Sequence, residues 1–327
     1  MLDSVRYLFN AAAGIAIVCA ALAAVILYIA TNLFVKTALD REQPGIMKKL
    51  NKKISGAGKS KEDAAFRETY NEASQKLKSS AHETVEITAD DGTKLVGHFF
   101  PCDKVQRIII AFHGWRSCWN YDFGAISEFW HANNCSVLCA EQRGQNESGG
   151  RYIGLGLTER YDCVDWIYWA IGRCGKNIPI YLAGVSMGAA TVLMAAGLQL
   201  PDNVHGIMAD SAFTSPENIF KHIAQNNLHI SYSLHRPFIN RMCRKRINVG
   251  FDDYSTVEAL KNTNIPVLFI HGDDDRFVPL KMTYENYVAC KAPKKLLVVP
   301  GADHVMSYYT DKAEYEKTVK EFWKKFD

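Results

Sequence analysis

Six short apolar runs, "RIIIAFH", "SVLCAEQ", "IPIYLAGVS", "VHGIMAD", "IPVLFIHG" and "KKLLVVPG", punctuate the chain from residue 107 to residue 301. Each is of strand length, rich in Val, Ile and Leu, and lacks a polar face, as expected of a strand buried on both sides. Helix-length segments such as "TERYDCVDWIYWAIGRCG" and "DKAEYEKTVKEFWKKF" separate most of them. This alternation predicts an α/β fold with a mostly parallel central sheet covered by helices. "VEITADDGTKLVGHFF" predicts a hairpin turning at Asp91-Gly92, which brings the sheet to about eight strands. One interval, about 214–260, is too long for a single crossover and predicts a helical cap inserted on the loop side. Its basic cluster Arg241, Arg244, Lys245 and Arg246 reads as solvated cap surface. Ligands of such sheets bind beyond the carboxyl ends of the strands, so the chemistry is expected there.

The N-terminus is of another kind. No charged residue occurs from Tyr7 to Val35, which exceeds the roughly 20 apolar residues that a membrane-spanning helix needs. The run is too long for a secretory signal and no small-residue cleavage site follows it. Residues 1–35 are therefore expected to be a single transmembrane helix. Residues 36–82 are expected to be a juxtamembrane linker with one amphipathic helix, whose apolar sites are Ala64, Phe66, Tyr70 and Leu77, and residues 83–327 the catalytic domain. Basic residues after the run (Lys36, Arg41, Lys48, Lys49, Lys52, Lys53) outnumber Asp40 and Glu42, which predicts a cytoplasmic position for that domain. The net charge of +3 calls for no nucleic-acid partner. The nine cysteines show no C-x-x-C pair and no zinc-ligand spacing, and they read as reduced core thiols.

Ser186 follows "IPIYLAGV" directly and precedes the helical "MGAATVLMAAGLQL". A strand-turn-helix junction of the form G-x-S-x-G raises a serine clear of the sheet, and the turn is so tight that Gly184 and Gly188 must be nearly free of side chain. A serine hydroxyl needs a base, and the base needs an orienting acid. His304, after the last run, is the candidate base. Asp273, Asp274 and Asp275, after the preceding run, offer the acid, with Asp210 as a further candidate. The order Ser…Asp…His, each at the carboxyl end of a strand, is hard to obtain by chance. "AFHGWRS" supplies the early-strand loop from which an oxyanion-binding amide is expected, with Trp115 and Met187 as the two donors. His113 in that loop reads as structural.

These motifs resemble those of the α/β-hydrolase family, and most closely its bacterial serine hydrolases with a compact helical cap. The matching residues are His113-Gly114-Trp115, Arg143-Gly144 with Ser148-Gly149-Gly150, Gly184 to Gly188, His271-Gly272-x-x-Asp275-x-x-Val278-Pro279 and Gly301-x-x-His304. They cover roughly residues 83–327. The resemblance implies Ser186 as nucleophile, His304 as base, Asp275 as acid, and Met187 and Trp115 as the oxyanion hole. Asn146 and Asp303 depart from the glycines more usual at those places. The function expected is hydrolysis of carboxylic esters through an acyl-enzyme, without metal or cofactor. Peptide or amide hydrolysis is the alternative, and a non-catalytic scaffold that binds a ligand or protein is the third reading.

Overall fold

The computed structural model describes residues 2–45 and 61–327. Among the described residues, α1 (Leu2–Leu39) and α2 (Lys61–Ser79) precede the sheet. The predicted hairpin follows as β1 (Glu83–Thr88) and β2 (Lys94–Phe100), antiparallel, with Thr88 opposite Lys94. Gly92 turns it with φ 84°, a left-handed conformation that glycine adopts without steric cost. Alternation then sets in with β3 (Arg107–Phe112), α3 (Trp119–Ala132), β4 (Cys135–Ala140), α4 (Glu159–Cys174), β5 (Ile180–Val185), α5 (Met187–Ala195) and β6 (Val204–Asp210). The strand-free interval holds α6 (Pro216–His222), a π-helical turn (Ile223–Asn227), α7 (Tyr232–Ile247) and α8 (Thr256–Leu260). The chain closes with β7 (Val267–Gly272), α9 (Leu280–Ala289), β8 (Lys294–Val299), α10 (Ser307–Thr310) and α11 (Lys312–Phe326).

All eight strands form one sheet in the order β1-β2-β4-β3-β5-β6-β7-β8. The β1–β2 and β2–β4 pairs are antiparallel, and every other pair is parallel. This is the α/β-hydrolase fold. Why the apolar runs had no polar face is visible in β3. Ile108, Ile110 and Phe112 enter the core on one side of the sheet with Trp166 and Ile167 of α4 and Val192 of α5. Ile109 and Ala111 enter the opposite core with Phe123 and Trp130 of α3 and Phe322 of α11. The period of two is intact, but both faces are dry. Cys135 and Cys139 belong to the second core, where burial pushes the Cys135 thiol up to about 12.

The chain winds outward in opposite directions from β3, so the carboxyl ends of β3 and β5 border the crevice where such folds bind ligands. The cap lies over that end. Within the interval, α8 differs from α6 and α7: its Leu260 packs into the sheet core rather than the cap cluster.

The region between the apolar run and the sheet is more closely joined to the domain than a spacer would be. The first helix runs to Leu39, past residue 35. Its side chains are exposed from Arg6 to Ile26, and then Thr31, Val35 and Leu39 are fully buried. These three share one helical stripe at a spacing of four, and the stripe faces the domain. The stretch from 46 to 60 in the expected linker lies outside the described residues, as do the side chains of Ala64 and Phe66. In α2, Tyr70 and Leu77 are buried. That helix packs against α3 so closely that a Cβ on Gly124 would lie 2.7 Å from the Ala73 carbonyl carbon, and Asn120 donates to Ser74 Oγ at 2.7 Å. Gly124→Val is expected to lower stability by about 2 kcal/mol through overpacking, read as a reduced urea midpoint. An unchanged midpoint would mean that α2 is not seated on α3.

Candidate active site

Three strand ends and one early loop build the site. After β5 the chain turns within a single residue. Ser186 sits at φ 53°, ψ −115°, a strained conformation for a residue bearing a Cβ. Its amide donates to the Asp210 carbonyl at 2.8 Å and its carbonyl accepts from the Ala190 amide at 3.0 Å, so neighbouring elements fix the turn on both sides. The two glycines are required by contact. A Cβ on Gly184 would lie 2.3 Å from the Gly188 carbonyl oxygen, and one on Gly188 would lie 1.8 Å from the Phe112 carbonyl oxygen. Both obstacles are backbone and cannot swing aside.

After β8, His304 reaches back over the turn. Its Nε2 is 2.8 Å from Ser186 Oγ and its Nδ1 is 2.7 Å from Asp275 Oδ2. A carboxylate only accepts, so Nδ1 carries the hydrogen and Nε2 is left free to accept from the serine. Asp275, after β7, is buried. Burial alone would push its carboxyl up. Hydrogen bonding to His271 and His304 outweighs this and holds it well below the usual carboxylate range. Its other oxygen accepts from the Phe277 and Val278 amides at 2.9 and 2.8 Å. The neighbouring aspartates are used elsewhere. Asp273 accepts from the Gly301 amide at 2.6 Å, and Asp274 pairs with Arg276 at 3.0 Å. Asp210 accepts from Ser211 and Ser307 hydroxyls at 3.0 and 3.2 Å. Burial raises its carboxyl pKa, and among the described residues it makes no hydrogen bond to His304.

The loop after β3 approaches the turn from the other side. A Cβ on Gly114 would lie 3.5 Å from Ser186 Cβ. The backbone amides of Trp115 and Met187 make no hydrogen bond among the described residues, which leaves both free to donate. His113 is fully buried, and its Nε2 accepts from the Gln142 amide at 3.1 Å. It braces the loop, as read from the sequence.

Three further residues support this site, and of these only His271 belonged to a sequence motif. His271 Nε2 lies 3.0 Å from Asp275 Oδ2 and donates to the Val278 carbonyl at 2.9 Å, while Thr283 Oγ1 sits 2.6 Å from Nδ1. Asp122 accepts from the Gly114 amide at 2.7 Å and from Ser117 Oγ at 2.6 Å. The third is Arg116, at φ 54°. Its guanidinium donates to the carbonyls of Thr37 (2.9 Å), Asp40 (2.5 Å) and Arg41 (3.0 Å), and the neighbouring Trp115 Nε1 donates to Ala38 at 2.9 Å. These carbonyls close α1, so the end of the first helix holds the loop beside Ser186. An arginine or a tryptophan in a short loop gives no hint of a partner some 75 residues upstream.

A separate group, His98, Glu141 and Glu147, brings potential metal-ligand atoms within 4.8 Å of one another. Glu141 is already engaged by His98 Nε2 at 3.3 Å and by the Glu147 amide at 2.5 Å. Both contacts lie within the domain, one to a buried histidine and one to a loop amide.

Gly188→Ala is expected to cost about 3 kcal/mol or more, because the added methyl must displace the β3 backbone. A thermal melt of the purified variant checks this, and a midpoint equal to wild type would show that the turn is looser than its contacts.

Comparisons with known proteins agree with this geometry. The chain is 28% identical over 191 residues to the uncharacterized protein YqkD of Bacillus subtilis (strain 168), covering 57% of this chain and 61% of that one, so it spans just under two thirds of this relative. It is 26% identical over 239 residues to the uncharacterized protein YfhR of Escherichia coli (strain K12), covering 69% and 74%. The esterase Pf2001 of Pyrococcus furiosus shares the fold with a TM-score of 0.61 at 22% identity, covering 77% of this chain and 93% of the esterase. The prolyl oligopeptidase family profile matches residues 121–326, from α3 to the last residue of α11. Fold and family together make this chain a hydrolase, and it belongs to the prolyl oligopeptidase family.

Proposed function

We propose that the chain is a serine hydrolase that cleaves carboxylic esters, held at a membrane by α1. The observation that carries this reading is the unbroken run of hydrogen bonds from Asp275 through His304 to Ser186, at 2.7 and 2.8 Å. In the mechanism, His304 Nε2 takes the Ser186 hydroxyl proton as Oγ attacks the ester carbonyl. Asp275 fixes the imidazole and stabilises the imidazolium that forms. The amides of Met187 and Trp115 receive the developing oxyanion. His304 then gives the proton to the leaving alkoxide, and an acyl group remains on Ser186. A water molecule, deprotonated by the same nitrogen, attacks that acyl-enzyme and releases the acid and the serine.

Family membership favours a second reading, amide hydrolysis by the same residues. Rates on a series of acyl esters beside aminoacyl-peptide substrates of matched acyl group separate the two. Ester turnover that exceeds peptide turnover supports the first reading, and the reverse order supports the second.

Retention of α1 is supported by its docking. Cleavage within or just after the apolar run would strip Thr31, Val35 and Leu39 from the core and remove the carbonyls that hold Arg116. The basic residues that follow favour the cytoplasmic side for the domain. Protease added to intact cells is then expected to spare the domain. Its digestion without lysis would show that the domain faces outward.

Ser186→Ala is expected to reduce ester turnover by a factor on the order of 10⁶, and Asp275→Asn by about 10⁴. Both should leave the thermal midpoint near wild type, and Ser186→Ala should also abolish labelling by a fluorophosphonate. Turnover of the Ser186→Ala variant within tenfold of wild type would overturn the assignment. For the loop held by α1, Arg116→Ala is expected to lower kcat by about tenfold or more with little change in KM, through loss of oxyanion stabilisation. A change confined to KM would place Arg116 outside that role.

A further inference from the structure

We propose that the cap edge formed by Leu228, Ile230 and Leu234 rests on the bilayer, and that the ester cleaved at Ser186 is an acyl-chain amphiphile drawn from that bilayer. This rests on the serine hydrolase and membrane-anchor readings above.

The argument begins with where α1 changes character. Its apolar side chains are exposed up to Ile26, and from Thr31 onward the buried stripe faces the domain. At 1.5 Å per residue, the stretch from Tyr7 to Ala30 that precedes this stripe is about 36 Å long, enough to cross a hydrocarbon core of about 30 Å. The domain therefore begins where the span ends. The elements that meet it there belong to the cap. Tyr28, half exposed, packs its ring 6.2 Å from Phe238 of α7, and Thr31 Oγ1 lies 2.6 Å from His235 Nδ1. Tyrosine at the end of an apolar span is the usual occupant of the membrane–water boundary.

The joint is stiff. Phe34 packs on Phe220 with ring centroids 4.8 Å apart, and Arg246 binds Asp40 at 2.8 Å and Asn32 at 3.1 Å. With the carbonyl clamp at Arg116, these contacts fix the height of the cap relative to the span. Beside the joint, Leu228, Ile230 and Leu234 are 49%, 36% and 62% exposed. Single exposed apolar side chains are ordinary. Three within seven residues, next in sequence to side chains that touch the end of a span, form a surface suited to shallow burial among headgroups and acyl chains.

The same cap segment leads to the site. Its upstream end, at His222, is close enough to Asp275 for that charge to oppose the lowering of the His222 pKa by burial. Phe277, partly exposed, stands with its ring 5.1 Å from His304. Met187 beside the nucleophile belongs to one apolar cluster with Val278, Met282, Phe213, Phe220 and Leu39. The side chains packed around Met187 on the cap side are thus apolar, surroundings that suit an acyl chain better than a peptide backbone.

The test uses the full chain in phosphatidylcholine vesicles. A fluorogenic diacyl ester is embedded in the vesicles, and p-nitrophenyl acetate is supplied in water. Replacing Leu228, Ile230 and Leu234 together by Ser is expected to lower the rate on the embedded ester about tenfold or more while the rate on p-nitrophenyl acetate stays unchanged. Equal effects on both substrates, or none on either, would overturn the proposal. Independently of turnover, Leu234→Trp is expected to add fluorescence that brominated phosphatidylcholine quenches. Added fluorescence that is not quenched, whether the side chain faces water or a bound protein, would also overturn it. Ser186→Ala separates the readings. If that variant still cleaves p-nitrophenyl acetate, the serine hydrolase assignment fails, and the quenching still reports whether the cap touches lipid.

Discussion

The close approach of Gly188 to the carbonyl of Phe112, where a Cβ would lie 1.8 Å away, is the tightest constraint around Ser186, and the rest of the site is arranged about it. It brings the start of α5 against the end of β3, which forces the one-residue turn that holds Ser186 at positive φ. Once that turn is set, the loop after β3 has no choice but to pass close to the serine, and His304 and Asp275 need only reach it from strand ends later in the chain. Catalytic geometry here is a by-product of close packing between three strand ends. The strain at Ser186 is borne by the surrounding core, where every residue of β5 is buried.

Buried acids steady this frame. Asp122 holds the Gly114 amide and Ser117, and Asp210 takes two serine hydroxyls while its carbonyl holds the Ser186 amide. Burial raises the pKa of both carboxyls, the opposite of Asp275, where two histidines prevail. Carboxyls so near one another behave differently because their partners differ: hydroxyls and amides for two of them, imidazoles for the third.

Much of the fold could be read from the sequence because parallel strands leave a plain mark. Dry on both faces, β3 to β7 appear as apolar runs, and Gly184, Gly188 and the order of Ser186, Asp275 and His304 mark the strand ends. Choosing among the three aspartates was possible through spacing to Val278-Pro279. Arg116 and Asp122 carried no mark of their own in the sequence. Arg116 meets the end of α1, some 75 residues upstream, and Asp122 holds the loop that precedes its own helix, where an acid in the first turn resembles any other. The closeness of α2 to α3 rests on Gly124, which in the sequence is merely a glycine within a helix. The stretch after the apolar run reads as a polar linker, and nothing in that composition betrays that its first backbone carbonyls, at Thr37, Asp40 and Arg41, hold Arg116.

The clamp between Arg116 and the end of α1 bears on how such a molecule answers its surroundings. A helix joined to its domain through a slack linker can tilt in a thin bilayer and leave the domain upright. Here the last turn of α1 packs into the domain, so, with α1 spanning a membrane as proposed, a tilt that relieves hydrophobic mismatch must rotate the whole body with it. Helix length, bilayer thickness and the attitude of the catalytic domain become a single mechanical quantity.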